Sequence, residues 1–138
     1  MAISTESYFG HDADIGIIGR GPTAEAAFEQ AASAMFAIMA DPAGVRAEHR
    51  IHVEFDEDDR ELALVRWLNA LIAAAQEGGL ALSRFHLVRE GTRWQGEAWG
   101  EPWRDDLDRG VEVKGATLTA LRVGQRDGAW EARCVVDV

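Results

Sequence analysis

The residues near the start of the chain that could do chemistry are His11, Asp12 and Asp14, which stand just before an apolar run. An imidazole and two carboxylates at this spacing could ligate a metal ion or move a proton. Ile15 and Ile17 alternate behind them as in a short strand, and a strand fixes the face from which each side chain leaves. Solvated loop charges are the competing interpretation, and residue types alone do not make this cluster a site.

A second candidate is the end of the chain, where Asp137 and the terminal carboxylate of Val138 follow residues 133–136, a run typical of a strand. A frayed terminus is the alternative. An apolar strand that continues to the last residue instead predicts a terminus held in a sheet. With Asp14 nearby in space, these carboxylates would suit a hard cation, which takes oxygen ligands.

The third candidate is Lys114, the only lysine among the 14 basic residues of the chain. All the remaining basic residues are arginine, so arginine could have stood at position 114 too. The exception indicates a role for a compact ammonium group, which differs from the wide guanidinium fork. An ordinary surface lysine on a strand is the alternative. A nucleophile elbow, a phosphate-binding glycine loop and paired zinc-ligand spacing are absent from the sequence.

The length of 138 residues and the 47% hydrophobic content predict one domain, residues 1–138, with an ordinary core. Cys134 is the only cysteine, which excludes an intramolecular disulfide and a cysteine-cluster zinc site. Residues 1–8 lack the basic and apolar regions of a signal peptide, and no apolar run reaches the roughly 20 residues of a membrane span. We therefore expect a cytoplasmic protein that does not enter a membrane.

The charge of the chain bears on its partners. There are 24 acidic and 14 basic residues, which give a formal net charge of −10. A protein that binds nucleic-acid phosphates needs a basic patch to release counterions, and an acidic chain is repelled before any contact forms. We therefore expect no direct binding to nucleic acid, and any link to RNA should run through a partner protein.

Two helices are predicted among the elements that position these candidates. The apolar spacing predicts a first helix that Thr23 caps and that Asp41-Pro42 ends, because the residue before proline is pushed out of the helical region. Residues 51–55 alternate like a half-buried strand. A second helix is predicted to begin at a cap on Asp58 and to end at Gly78-Gly79.

The rest of the chain is rich in strand patterns. The predicted strands are residues 85–89, 92–100, 111–123 and 129–138. The dipeptides Glu90-Gly91 and Asp127-Gly128 are typical of the turns of hairpins between them. The order of elements predicts an α+β fold, a single two-layer domain in which two helices pack on a mostly antiparallel sheet.

In their order and spacing, the three candidates resemble the archease family. Members carry His-Thr-Ala-Asp near the start, Glu-Val/Ile-Lys-Ala in the late strands, and an aspartate one residue before the end. The resemblance covers essentially the whole chain, since residues 24–31 resemble the first helix of the family and residues 64–71, with Trp67-Leu68-Asn69, resemble the second. The chain departs from the family pattern at three positions: Gly10, Asp12 and Leu118.

The resemblance implies a fold of the archease type and a function without catalysis. It implies an accessory protein that activates the GTP-dependent RNA ligase of tRNA splicing or RNA repair, and this ligase would be the partner. Two other functions stay open. One is a free-standing metal-dependent hydrolase of a small anionic substrate, with His11 as base and Lys114 as electrophilic stabiliser. The other is a chaperone-like binding protein.

The resemblance also implies the site residues. Asp14, Asp137 and the carboxylate of Val138 would hold a divalent metal ion, with calcium as the favoured species and magnesium or manganese as alternatives. Lys114 corresponds to the functionally important lysine of the family. The predicted region for activity and partner binding comprises Lys114, His11 and Asp12.

Overall fold

The computed structural model describes residues 7–11, with the backbone alone at His11, and residues 14–138. Two helices are present in this part of the chain, α1 (Ala24–Met39) and α2 (Arg60–Gly78). The strands in chain order are β1 (Tyr8–His11), β2 (Asp14–Gly21), β3 (His49–Asp56), β4 (Leu80–Glu90), β5 (Arg93–Pro102), β6 (Gly115–Ala116), β7 (Arg122–Arg126) and β8 (Ala129–Asp137). No described helix is long and apolar enough to cross a membrane.

Helix α1 begins and ends where the sequence predicts. The Thr23 side chain accepts a hydrogen bond from the backbone N–H of Ala26 at 3.0 Å, which satisfies one of the free donors of the first turn. The helix gives way to extended backbone at Ala40, directly before Asp41-Pro42. Most of its apolar face is buried, with Phe28 fully inaccessible.

Helix α2 begins one residue later than predicted. The cap is Asp59 and not Asp58, because the Asp59 carboxylate accepts the backbone N–H groups of Glu61 at 2.9 Å and Leu62 at 3.1 Å. The predicted end is confirmed. Gly79 takes the left-handed conformation with φ 65°, which glycine adopts without steric cost.

The strands form two antiparallel sheets. The large sheet has the order β1-β2-β8-β6, with β7 paired to β8 beside β6, and the small sheet has the order β3-β5-β4. Every strand pairing in both sheets is antiparallel. The predicted α+β class, with two helices and antiparallel strands, is confirmed, and the strands divide between two sheets.

Both predicted hairpins are present. Asp127 and Gly128 have φ 53° and 80° and connect β7 to β8, which is the turn geometry that matches the twist of the strands. The other turn, between β4 and β5, lies at Gly91-Thr92, one residue beyond the predicted dipeptide, with φ 62° at Gly91.

The predicted strand over residues 111–123 is wrong. Only Gly115–Ala116 and the start of β7 are strand in this stretch. The backbone N–H groups of Gly110 and Val111 donate to the carbonyls of Met39 and Ile38, at 2.8 and 3.0 Å, so this part of the chain caps the end of α1. Farther on, Ala120 has φ 54°, which interrupts the pairing with β8.

One apolar core joins both helices to both sheets, with Trp67 near its middle. The Trp67 indole N–H donates to the carbonyl of Phe28 at 3.0 Å, and the Phe28 ring stacks on Trp94 with 5.1 Å between centroids. Gly96 of β5 is required beside it, since a Cβ there would lie 2.2 Å from the Trp67 ring. These contacts fix α2 against the small sheet.

A buried carboxylate holds the segment that follows β5. Glu101 is 4% exposed and accepts two hydrogen bonds from Arg104, at 2.9 and 3.1 Å, and one from the backbone N–H of Arg46 at 2.6 Å. These donors, Arg104 first, lower the pKa of Glu101 to about 2. The network fixes the start of residues 103–114, the segment that leads to Lys114.

Asn69 on α2 fixes the other end of this segment. Its side-chain carbonyl accepts the backbone N–H of Ala116 at 2.8 Å, and its amide donates to the Ala116 carbonyl at 3.3 Å. One side chain thus satisfies both backbone groups of a residue in β6. The short strand next to Lys114 is therefore attached to the helix as well as to β8.

We predict that Glu101→Gln destabilises the protein most near neutral pH. Because the pKa of Glu101 is about 2 in the folded protein and its ordinary value is 4.5, the stabilisation is fully present above about pH 4.5 and is lost as the pH falls towards 2. Denaturant midpoints of the wild type and the variant should therefore converge in acid. Glu77→Gln, at an exposed position of α2, is the matched control. A midpoint difference that stays constant with pH would contradict the role of the ionised carboxylate.

We predict that Asn69→Ala loosens β6 without unfolding the protein. Loss of the two hydrogen bonds should speed hydrogen exchange of the Ala116 amide by roughly fivefold or more, the equivalent of about 1 kcal/mol. Gln76→Ala, at an exposed amide side chain on the same helix, should leave that rate unchanged. Equal protection of the Ala116 amide in both variants would show that Asn69 does not hold the strand.

Candidate functional site

The beginning and the end of the chain meet in the large sheet. Ile15 of β2 pairs with Val136 of β8, so Asp14 and Asp137 are the next opposed positions. Directly opposed residues of antiparallel strands project from the same face with their Cβ atoms about 5 Å apart. The two predicted metal-binding aspartates are therefore brought together, although they are far apart in sequence.

Alternation along the strands decides which face the aspartates take. Ile15 and Val136 pack into the apolar core, so Asp14 and Asp137 lie on the opposite face of the sheet. We call this the outer face of the large sheet. Asp137 is exposed and Asp14 is half-buried, so both carboxylates can reach solvent or a ligand.

Lys114 lies at the same end of β8. Its backbone N–H donates to the carbonyl of Asp137 at 2.7 Å, and the next residue, Gly115, pairs with Asp137. The Lys114 side chain is exposed. The structure thus brings the single lysine next to the aspartate pair, with its backbone fixed and its ammonium group accessible.

The last residue is held near the same point. The side chain of Val138 packs against the apolar core, and β8 extends to Asp137, so the prediction of a terminal strand held in the sheet is confirmed. The backbone of His11 pairs with Asp14 across β1 and β2. The side chain of His11 and the whole of Asp12 fall outside the described residues, so the predictions on these two groups stay predictions.

Among the described residues, the candidate metal ligands at this end of the sheet, Asp14 and Asp137, offer oxygen donors. In the described part of the chain, no group of three or more histidine, cysteine, aspartate or glutamate side chains is placed to hold a metal ion. Asp14 and Asp137 supply two carboxylates, and the carboxylate of Val138 would be a third donor. A donor set of carboxylate oxygens fits a hard divalent cation such as calcium or magnesium and does not favour a soft metal. The predicted metal site remains a prediction.

Asn69 is a positioning residue that the sequence analysis did not identify. In the sequence, Trp67-Leu68-Asn69 stands out only as a family resemblance, and the one usable signal is an asparagine beside an apolar helical stripe. Asparagine is a poor helix former, so its presence inside a helix indicates a role for the side chain. That role is the double hydrogen bond to Ala116, two residues from Lys114.

Two other features of the structure lie away from this site. Cys134 is fully buried in the core, and burial raises the pKa of its thiol to about 12. A thiol that stays protonated and inaccessible does not react. A cavity of about 330 Å³ is lined mainly by apolar residues of α1, α2, the start of β4 and the segment 103–114, among them Phe36, Ile72 and Leu80, and by none of the predicted site residues.

Comparison with known proteins identifies the family. The model of the Archease protein family (MTH1598/TM1083) matches residues 7–138. Protein archease of Sulfolobus acidocaldarius is 34% identical over 136 residues, which cover 95% of this chain and 96% of that protein.

Solved structures give the same result. The solution structure of Methanobacterium thermoautotrophicum protein 1598 superposes with a TM-score of 0.83 at 29% identity, over 96% of this chain and 97% of that one. The crystal structure of an archease from Thermotoga maritima, named a "possible chaperone", has a TM-score of 0.65 at 20% identity over 94% of each chain, which shows a shared fold. None of these names specifies an enzymatic activity. This chain belongs to the archease family.

Proposed function

We propose that this archease-family protein is a non-catalytic accessory protein that activates a GTP-dependent RNA ligase. The observation that carries the proposal is the meeting of Asp14, Asp137 and Lys114 at one end of the large sheet in a chain of this family. Carboxylates that can hold a cation lie beside the only lysine of the chain. The two charge types together could contact the anionic and cationic groups of a ligase active site.

The metal-binding part of the proposal rests on the two aspartates. Asp14, Asp137 and the terminal carboxylate of Val138 would hold one divalent cation, with calcium favoured. The strands that carry them are core strands, so the carboxylates are close before any cation arrives and lose little conformational entropy on binding. When bound, the cation supplies a fixed positive charge that attracts phosphate or carboxylate oxygens.

The partner-binding part of the proposal rests on Lys114 and on the charge of the protein. The exposed ammonium group of Lys114 would contact a phosphate or a carboxylate of the ligase complex. The net charge of −10 favours encounter with a basic cleft, and complementary charge raises the association rate more than it tightens the complex.

Chaperone-like binding is the second candidate, because the Thermotoga protein of the same fold bears that description. Chaperone-like binding and ligase activation both need a protein partner. A chaperone switched by thiol oxidation is not supported, since Cys134 is buried and its pKa is raised to about 12. A ligase assay with cognate ligase separates the two candidates, because general chaperoning would not depend on Lys114.

We predict that Asp14→Asn combined with Asp137→Asn abolishes the binding of a divalent cation. Removing both formal charges leaves only weak neutral donors for a hard ion. Calorimetric titration of calcium, and then of magnesium and manganese, into wild type and variant is the measurement. Asp58→Asn, at an exposed aspartate before α2, is the matched control and should bind as the wild type does.

The terminal carboxylate is tested in the same titration. An extension after Val138 moves that carboxylate away and should weaken binding, whereas an N-terminal extension should not. Equal cation affinity in the double variant and the control would contradict the proposed metal site. Equal cation affinity in the two extended proteins would show that the carboxylate of Val138 is not a ligand.

We predict that Lys114→Arg folds normally and loses most of the stimulation of the ligase. The charge is kept, but a planar guanidinium cannot replace a compact ammonium at a closely fitted contact. Multiple-turnover RNA ligation with GTP and the cognate ligase, run beside thermal melting of the same preparations, is the measurement. Arg50→Lys, the reverse exchange at an exposed position of the small sheet, should stimulate like the wild type.

Full stimulation by Lys114→Arg would overturn the role given to Lys114. Ligation that the wild-type protein leaves unchanged, with a ligase shown to be active, would overturn the proposed function itself.

A further inference from the structure

Two arginines face each other on the outer face of the large sheet. Arg122 of β7 pairs with Arg133 of β8, and we call these two residues the arginine pair. Directly opposed residues of antiparallel strands have their Cβ atoms about 5 Å apart, and like charges at such positions destabilise a sheet. Arg133 lies on the face opposite the core, because its neighbours Ala132 and Cys134 are core residues. Arg122 therefore shares the outer face with it.

Neither guanidinium group is neutralised within the described part of the chain. No ion pair with a carboxylate is formed there by either residue, and Arg122 is exposed. Arg133 lies over the ring of Phe9, 5.3 Å from its centroid, a cation–π contact that supplies no carboxylate. The Nε atom of Arg133 is buried and has no hydrogen-bond partner among the described residues. A buried donor without an acceptor is destabilising.

Such a pair is unexpected in a chain with 24 acidic residues. Other arginines in this protein form ion pairs with carboxylates: Arg66 with Glu57 at 2.8 Å and Arg104 with Glu101 at 2.9 Å. Carboxylates are thus abundant, and among the described residues none forms an ion pair with the arginine pair. A buried donor without an acceptor, beside a second cation, is the arrangement expected where the acceptor comes from a ligand.

The surface beside the arginine pair has room for a ligand. The next opposed positions on the same face of the two strands are Gly124 and Glu131, and a side chain at Gly124 would meet no atom within 4 Å. Glu131, a carboxylate on this face, is 6% exposed and accepts a hydrogen bond from the Nε of Arg20 at 3.1 Å. Among the described residues, its ion pair is with Arg20 and not with either residue of the arginine pair.

We propose that Arg122 and Arg133 form a binding site for a phosphate group, carried by a small ligand such as inorganic phosphate or a nucleotide. A phosphate oxygen would accept the Nε–H of Arg133, and the other oxygens would accept the guanidinium of Arg122. Phosphate fits better than a carboxylate because its charge of nearly −2 can balance both arginines, whereas a carboxylate balances one.

This site is separate from the aspartate pair and does not depend on the proposed function. Arg133 and Asp137 are four residues apart on β8, a distance of about 13 Å along a strand. A single phosphate group therefore cannot touch both. The outer face would carry a cation site at one end and an anion site at the other.

The test is a nuclear magnetic resonance titration of the full chain with sodium phosphate in a low-chloride buffer. We expect saturable shifts at the Nε–H of Arg133 and at the amide of Gly124. Arg122→Gln and Arg133→Gln should each weaken the affinity by about tenfold or more, as loss of a charged hydrogen bond does. Arg50→Gln removes the same charge from the small sheet and should bind like the wild type.

A parallel titration with guanosine monophosphate distinguishes the sources of the phosphate. Equal affinity for both ligands shows that the phosphate group alone is recognised, and tighter nucleotide binding shows that the nucleoside adds contacts. Phosphate should also raise the melting temperature of the wild type and not that of Arg122→Gln. Arg122 is exposed, so we expect this variant to fold like the wild type. Shifts that do not saturate, or equal affinity in Arg122→Gln and Arg50→Gln, would overturn the proposal.

Discussion

Strand β8 lies inside the large sheet and pairs with β2 along one side and with β6 and β7 along the other. Its even-numbered residues, such as Cys134 and Val136, are core residues, so its position is fixed by burial and by backbone hydrogen bonds on both sides. A one-residue slip of β8 would move its core residues to the outer face. The position of both proposed sites therefore depends on this pairing, because Asp137 and Arg133 are residues of the same strand.

The segment between β5 and β6 has 12 residues, 103–114, that belong to no helix or strand, and Lys114 is the last of them. Three sets of polar contacts fix this segment in place of a strand ladder. Glu101 binds Arg104 at its start, the carbonyls at the end of α1 accept two of its N–H groups, and Asn69 binds Ala116 at its end. The position of the Lys114 backbone is therefore defined without a long strand.

The outer face shows how one surface can hold opposite charges without cancelling them. The aspartate pair and the arginine pair are separated along β8 by the buried residue Val135. Interactions between exposed charges are screened over about 10 Å at moderate salt, so each pair can keep its own local potential. A chain with a net charge of −10 can thus keep a local positive region.

The sequence by itself determined the two helices, the two hairpins, the terminal strand and the family. These features follow from local rules, such as the Thr23 cap, the period of the apolar residues and the Asp127-Gly128 turn. The cap of α2 was misplaced by one residue because Asp58 and Asp59 have the same side chain, and only the geometry of the turn distinguishes them. The order of the motifs was also sufficient to indicate Asp14, Asp137 and Lys114 as site residues through the family resemblance.

Only the tertiary structure decided which residues that are distant in sequence come into contact. The pattern of residues 111–123 predicted a strand, but the N–H of Val111 binds the end of α1, and the N–H groups of Lys114 and Thr117 bind β8. The path of this stretch is therefore set by contacts with residues distant in sequence. The contact of Asn69 with Ala116 joins positions 47 residues apart, and no local pattern encodes it. The register that opposes Arg122 to Arg133 follows from the hairpin, but only the tertiary structure shows that the buried Nε of Arg133 has no partner among the described residues. Local preferences select elements, whereas burial and long-range hydrogen bonding select their partners.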